Sequence, residues 1–130
     1  MFTLEDLYSQ LGKLFYAIAA SDKMVREEER NTLRIILENE WKNDLVKTGE
    51  WEYSAADQIE MTFDWMELNQ PSAYSVFKEF KDFKNDNEEL FTPEIKNMIW
   101  KTADGIASTF AGKNKSELVM LSKLKSLLSN

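Results

Sequence analysis

Apolar residues recur along this chain at spacings of three and four, and the breaks between such runs are short and polar. Leu4, Leu7, Leu11, Leu14, Phe15 and Ile18 fall on one helical stripe, which predicts a first helix ending near Ala20. Its start is marked by Thr3-Leu4-Glu5-Asp6, the Ser/Thr-x-x-acid form in which the hydroxyl caps a free N–H of the first turn. After the connection Ser21-Asp22-Lys23-Met24-Val25, Arg26-Glu27-Glu28-Glu29 opens a second helix with three acids at the positive end of the helix dipole. Leu33, Ile36, Leu37 and Trp41 form its expected buried face, and Gly49 marks a break.

Ser54-Ala55-Ala56-Asp57 repeats the cap pattern, and Ala56, Ile59, Phe63 and Met66 trace a third helix. Pro71 suits the first position of a fourth, with Ala73, Val76, Phe77, Phe80 and Phe83 as its stripe. Beyond a polar loop at 85–89, Thr92-Pro93 starts a fifth helix along Ile95, Met98, Ile99, Thr102, Ala103, Ile106, Ala107 and Phe110. Ala111-Gly112-Lys113 breaks it; Asn114 caps a sixth helix with Glu117 three residues on, and Leu118, Leu121, Leu124 and Leu128 complete the pattern. No segment alternates long enough to predict a strand, so the expected fold class is all-α, a single domain over residues 1–130 with about six helices. Small residues gather in the first helix (Gly12, Ala17, Ala19, Ala20) and the fifth (Ala103, Gly105, Ala107). A mid-helix Gly costs about 1 kcal/mol relative to Ala, so a compensating close approach is expected, with helices one and five as the central pair.

Composition narrows the chemistry. Four Gly and two Pro are too few for the many turns of a β-sandwich or barrel. With 16 Lys and Arg against 23 Asp and Glu, the net charge of -7 weighs against a nucleic-acid partner. The sparse basic set Lys113, Lys115, Lys123 and Lys125 has no interleaved aromatics and reads as a solvated helix face. The absence of cysteine and histidine excludes disulfides, Cys/His zinc sites and thiol or Ser-His nucleophiles. No apolar run reaches the roughly 18–20 residues that span a bilayer, and Met1–Asp6 has no leader-like pattern; no integral membrane segment is expected, and the location expected is the cytoplasm.

The two ends of the chain resemble each other. Each has a long helix finishing in small residues, a short polar loop and a helix opening on an acid: Glu29 followed by Leu33 and Ile36, and Glu117 followed by Leu121 and Leu124. The stretch Leu14-Phe15-Tyr16-Ala17-Ile18-Ala19-Ala20-Ser21-Asp22-Lys23-Met24-Val25-Arg26-Glu27-Glu28-Glu29 resembles the hallmark segment of the TerB-like proteins, the tellurite-resistance TerB family and the related N-terminal domain of the DjlA co-chaperones. That segment is an alanine-rich helix end, Asp-Gly, a hydrophobic residue and an acid opening the next helix. The resemblance covers about a quarter of the chain and implies a helical bundle of two related hairpins without established catalytic activity, linked to metal or stress responses. It also implies a divalent cation (Ca²⁺, Mg²⁺ or Mn²⁺) held by acids of the hairpin loops, carried here onto Asp22 and Glu29. Lys23 stands where the family has Gly, and the second hairpin, 111–117, offers Asn114 and Glu117 but no Asp.

The same acids have a plainer reading, in which Asp22 caps a turn and Glu29 answers the helix dipole. Asp86-Asn87-Glu88-Glu89 lacks the spacing of a calcium loop, and Asp104-Gly105 lies inside the fifth helical stripe. Phosphate-binding and dinucleotide fingerprints are absent, so no enzyme is expected. Trp41, Trp51 and Tyr53 flank the irregular segment around Gly49 and are the candidate anchors for a protein partner or a homodimer; the alternative is that they close one end of the core. The function expected is a non-enzymatic TerB-like binding or adaptor domain with a weak cation site; the alternative is a structural or self-associating helical protein without a metal.

Overall fold

Side-chain caps fix where the helices begin. In the computed structural model, which describes residues 3–42, 45–48, 51–109 and 115–129 (side chains at 45–53 excepted), Thr3 Oγ1 accepts from the Asp6 N–H at 3.3 Å while its own N–H donates to Asp6 Oδ2 at 2.8 Å. This reciprocal pair starts α1, Leu4–Ala19. Ser54 and Asp57 do the same for α3, Ala55–Asn69. Thr92 caps α5, Pro93–Ala107, with Pro93 in its first turn. α4, Ala73–Asp86, begins two residues later than Pro71 suggests, because Ser72 is its cap and accepts from the Ser75 N–H at 3.4 Å. With α2, Glu27–Ile36, and α6, Lys115–Leu128, the fold is an all-α bundle of six α-helices among the described residues. None of them is long and apolar enough to cross a membrane.

α1 lies at the centre, packed on α3, α4, α5 and α6, and α5 bridges α1, α2 and α6. The expected central pair of α1 and α5 is therefore only part of the arrangement. Gly12 serves the contact with α3: a Cβ there would lie 2.6 Å from Thr62 Cβ and 2.7 Å from the Ile59 carbonyl oxygen. Gly105 faces α2, where a Cβ would meet the tip of Ile36 at 2.7 Å. Each glycine admits a different neighbour, so the two are not one shared device.

α2 does not stop at Ile36 but widens into a π-helical turn, Leu37–Trp41. Trp41, four residues after Leu37, lies on the same side of the turn, and both are fully buried. The Trp41 ring packs edge-on against Tyr8 and Phe15, and its Nε1–H donates to Thr102 Oγ1 at 3.0 Å. Two short antiparallel strands follow, β1 (Leu45–Thr48) and β2 (Trp51–Ser54), paired from Leu45↔Ser54 to Thr48↔Trp51. Each is only four residues long, too short for a run of alternating residues to predict.

α6 is rotated from its expected stripe. Met120, Leu121, Leu124 and Leu127 are buried, Leu118 is exposed and Leu128 packs at the edge of the core. The buried face continues back to Glu117, three and four residues before Met120 and Leu121, so the acid shares the core side of the helix. Leu4 is likewise half exposed, one turn outside the α1 core.

The two glycines make opposite expectations. Gly12→Ala is expected to destabilise by about 1–3 kcal/mol through overpacking against fixed backbone and a β-branched side chain. Gly105→Ala meets only a flexible Ile tip and gains about 1 kcal/mol of helix propensity, so its net change is expected within about 1 kcal/mol of zero. Urea unfolding of both variants checks this, and equal losses would remove the close α1–α3 approach.

Candidate functional site

Glu29 and Glu117 are each the third residue of their helix, α2 and α6, and each is almost completely buried. First-turn acids answer the positive helix end, which explains their positions singly. The packing of the two hairpins then brings the two carboxyl groups within hydrogen-bonding reach of each other. The hairpins that look alike in sequence thus meet at their matching acids.

Two like charges in a buried site cannot both be ionised cheaply. Burial, reinforced by the hydrogen bond to Glu117 and that carboxylate's charge, pushes Glu29 from its ordinary value of 4.5 up to about 8. The Arg26 backbone N–H, donating to Glu29 Oε1 at 2.8 Å, and the Arg26 guanidinium, 3.9 Å from Oε1, oppose that rise without cancelling it. A value of about 8 leaves Glu29 largely protonated at neutral pH, able to donate toward Glu117.

Asp22 belongs to the same corner through Arg26. Arg26 Nη1 lies 2.8 Å from Asp22 Oδ2, and Asp22 Oδ1 accepts from the Met24 N–H at 3.2 Å. Between them Lys23 adopts φ 70°, the left-handed conformation that glycine takes without penalty. Asp22 thus closes the turn, as the plainer sequence reading had it, and also faces the Arg26 guanidinium.

The donors present do not fit a divalent cation. Asp22 is held by a guanidinium, Glu29 keeps its proton, and among the described residues no three acidic side chains gather around one point. Hard cations take six or more oxygen ligands, several of them ionised carboxylates, whereas here Arg26 already supplies the positive charge.

The aromatic anchors divide. Trp41 is inside the core, fully buried against Tyr8 and Phe15 of α1 and Thr102 of α5, and offers nothing to a partner; the alternative, that it closes the core, describes it. The side chains of Trp51 and Tyr53 lie outside the described residues. An exposed apolar surface occurs elsewhere, on α3, where Met61, Trp65 and Leu68 stand out at spacings of four and three. Sequence reasoning traced one face of α3 and stopped, although the residues of a second apolar stripe were in view.

No family model, curated protein or solved structure matches the chain.

The raised Glu29 value has a definite sign. A folded-state value above the unfolded one contributes stability that is complete below about pH 4.5 and lost as pH rises through about 8. The wild type is expected to lose on the order of 1 kcal/mol per pH unit across this window relative to Glu29→Gln. Gln keeps both contacts, accepting from the Arg26 N–H and donating to Glu117, so the variant's profile is expected to be flatter. Parallel urea titrations from pH 5 to about pH 9 compare them, and coincident profiles would show that Glu29 is ionised throughout.

For the cation, calorimetric titration of EDTA-stripped protein at pH 7 with Ca²⁺, Mg²⁺, Mn²⁺ and Zn²⁺ is expected to show no saturable heat. Saturable binding abolished by Asp22→Ala would reinstate Asp22 and Glu29 as ligands.

Proposed function

We propose that the chain is a non-enzymatic, cytoplasmic binding domain of the TerB-like kind that docks a basic amphipathic helix of a partner protein on the outer face of α3. The observation that carries this is the stripe Met61, Trp65 and Leu68, with Trp65 58% and Leu68 82% exposed. α3 is apolar on two sides, and α1 covers only one of them with Ala55, Ala56, Ile59, Phe63 and Met66. An exposed Trp flanked by aliphatics is the kind of residue that anchors interfaces.

Charge selects the occupant. Asp64 lies within the stripe, three residues after Met61 and four before Leu68, and Asp57 is exposed one turn earlier. Glu60 and Glu67 border the same helix, paired with Arg34 and Arg30 of α2. An acidic, apolar face in a domain of net charge -7 complements a helix carrying Lys or Arg beside its apolar residues and disfavours nucleic acid.

Two observations support the TerB-like part of the reading. The acids at matching positions of the two hairpins are neighbours, and the residue in the family's glycine position has a glycine-like φ. The acid pair then acts as a proton-bound clasp between hairpins.

A second reading, self-association, is favoured by α6. Its exposed Leu118 and Val119 sit beside Lys115, an apolar and basic counterpart to the face of α3. Affinity capture from cell extract with wild type and with Trp65→Ser/Leu68→Ser separates these readings when run beside equilibrium sedimentation. Proteins retained by the wild type are expected to be lost by about tenfold or more with the double variant. Retention unchanged by the double variant, or no retention at all, would overturn the docking reading. A wild-type dimer that the double variant splits would replace it with self-association.

A further inference from the structure

α4 carries Tyr74, Lys78, Lys81 and Asn85 at spacings of four, three and four, a single straight line along its solvent side. α6 brings Lys123 and Ser126 to the same place, and the two helices enclose a groove of about 450 Å³. That volume lies in the range of small-molecule sites, roughly 300–1,000 Å³. Its floor is apolar, from the nearly buried Phe77 and Leu127.

The charge in this groove is one-sided. Among the described residues no acidic one lines it. Lys13, Lys42, Lys84 and Lys101 each sit beside a carboxylate, whereas Lys78, Lys81 and Lys123 form no ion pair among the described residues. Lys123 lies instead over the Tyr74 ring, its Nζ 5.3 Å from the centroid, and Tyr74 is itself largely exposed. Three lysines that line one groove and form no ion pair among the described residues leave their ammonium groups available to a bound anion.

We propose that this groove binds a phosphorylated small molecule, its phosphoryl group held by Lys78, Lys81 and Lys123 and its apolar or aromatic part laid on Tyr74 and the Phe77–Leu127 floor. A phosphate monoester carries about -1.5 to -2 at neutral pH and three acceptor oxygens, which matches three point-charge donors better than a lone carboxylate does. The Asn85 amide and Ser126 hydroxyl add neutral donors at the rim. A nucleic-acid backbone needs a continuous basic track, whereas Lys78, Lys81 and Lys123 face a single groove. The phosphoryl group belongs either to a free metabolite or to a lipid headgroup, and the experiment distinguishes these sources.

The full chain is titrated calorimetrically with phenyl phosphate, inorganic phosphate and phenol. Saturable one-to-one binding of phenyl phosphate is expected, tighter than inorganic phosphate, with none for phenol. The variant Lys78→Gln/Lys81→Gln/Lys123→Gln changes only exposed side chains. It is expected to keep the wild-type circular dichroism and urea midpoint while weakening phenyl phosphate by about tenfold or more. Tyr74→Ser is expected to remove the advantage of phenyl phosphate over inorganic phosphate. Co-sedimentation with phosphatidylcholine vesicles, with and without a phosphatidylinositol phosphate, assigns the source: lysine-dependent binding only to the phosphorylated vesicles marks a headgroup, and its absence beside phenyl phosphate binding marks a free ligand. The proposal is overturned if neither phenyl phosphate nor phosphorylated vesicles bind, if the triple variant binds as the wild type does, or if Lys13→Gln weakens binding equally.

Discussion

The bundle depends on a helix that has almost no outside. From Leu14 to Ala20 every residue of α1 and its cap is buried, whichever way it points. A helix that is apolar all round has to be surrounded, and one short chain can do this only by returning past it on several sides. Large residues such as Leu11, Leu14 and Phe15 fill the wider gaps, each contributing about 1.5–3 kcal/mol on burial before ordering costs are set against it. Gly12 serves where the wall is closest, against the backbone of α3. The alanines near the C-terminal end leave little side-chain bulk where the chain turns toward α2.

That wrapping has an electrostatic consequence. To cover α1 and α5, the second hairpin closes on the first, and the opening turns of α2 and α6 arrive side by side. A glutamate in the first turn is favourable for each helix alone. Together and buried, two ionised glutamates would cost several kcal/mol, and a retained proton converts the repulsion into a hydrogen bond. Arg26 cannot neutralise both acids, since its guanidinium lies against Asp22 and touches Glu29 only at 3.9 Å. The arrangement is a latch made of two local preferences that tertiary packing sets in conflict.

What was legible in the sequence follows from how local each cause is. Thr3, Ser54 and Thr92 cap their helices through bonds to residues three positions away, so short motifs sufficed to find them. Ser72 was passed over because Pro71 offered a competing start signal beside it. Trp41 fell on the expected buried stripe of the second helix, and it is buried there; its second reading, as an anchor for a partner, arose only because it also borders the irregular segment that follows. The orientation of α6 was misjudged because a glutamate was not counted among core residues, although it aligns with Met120, Leu124 and Leu127. The pairing of Glu29 with Glu117 was suggested by equal offsets in the two hairpins, but only the fold could show that they touch. The basic segment of α6 lacked aromatics in sequence, and the bundle supplied them from elsewhere: Tyr74 under Lys123 and Trp100 under Lys125.

Net charge is a poor guide to such a surface. Summed over the chain it predicts repulsion of every anion, yet counter-charges are assigned residue by residue, and α4 and α6 leave three lysines on one groove while most carboxylates lie on other faces. The α3 stripe shows the same separation in apolar form, since the periodicity that identifies a buried face does not report a second face on the same helix. Both features are made of exposed residues that contribute little to folding, and their removal leaves the interior of α1 and its neighbours intact. The buried acid pair is the reverse case, a polar feature inside the bundle whose ionisation opposes folding. The lysines of the groove and the α3 stripe can therefore be substituted without disturbing the core, whereas Phe77 and Leu127 belong to the core as well as to the groove floor.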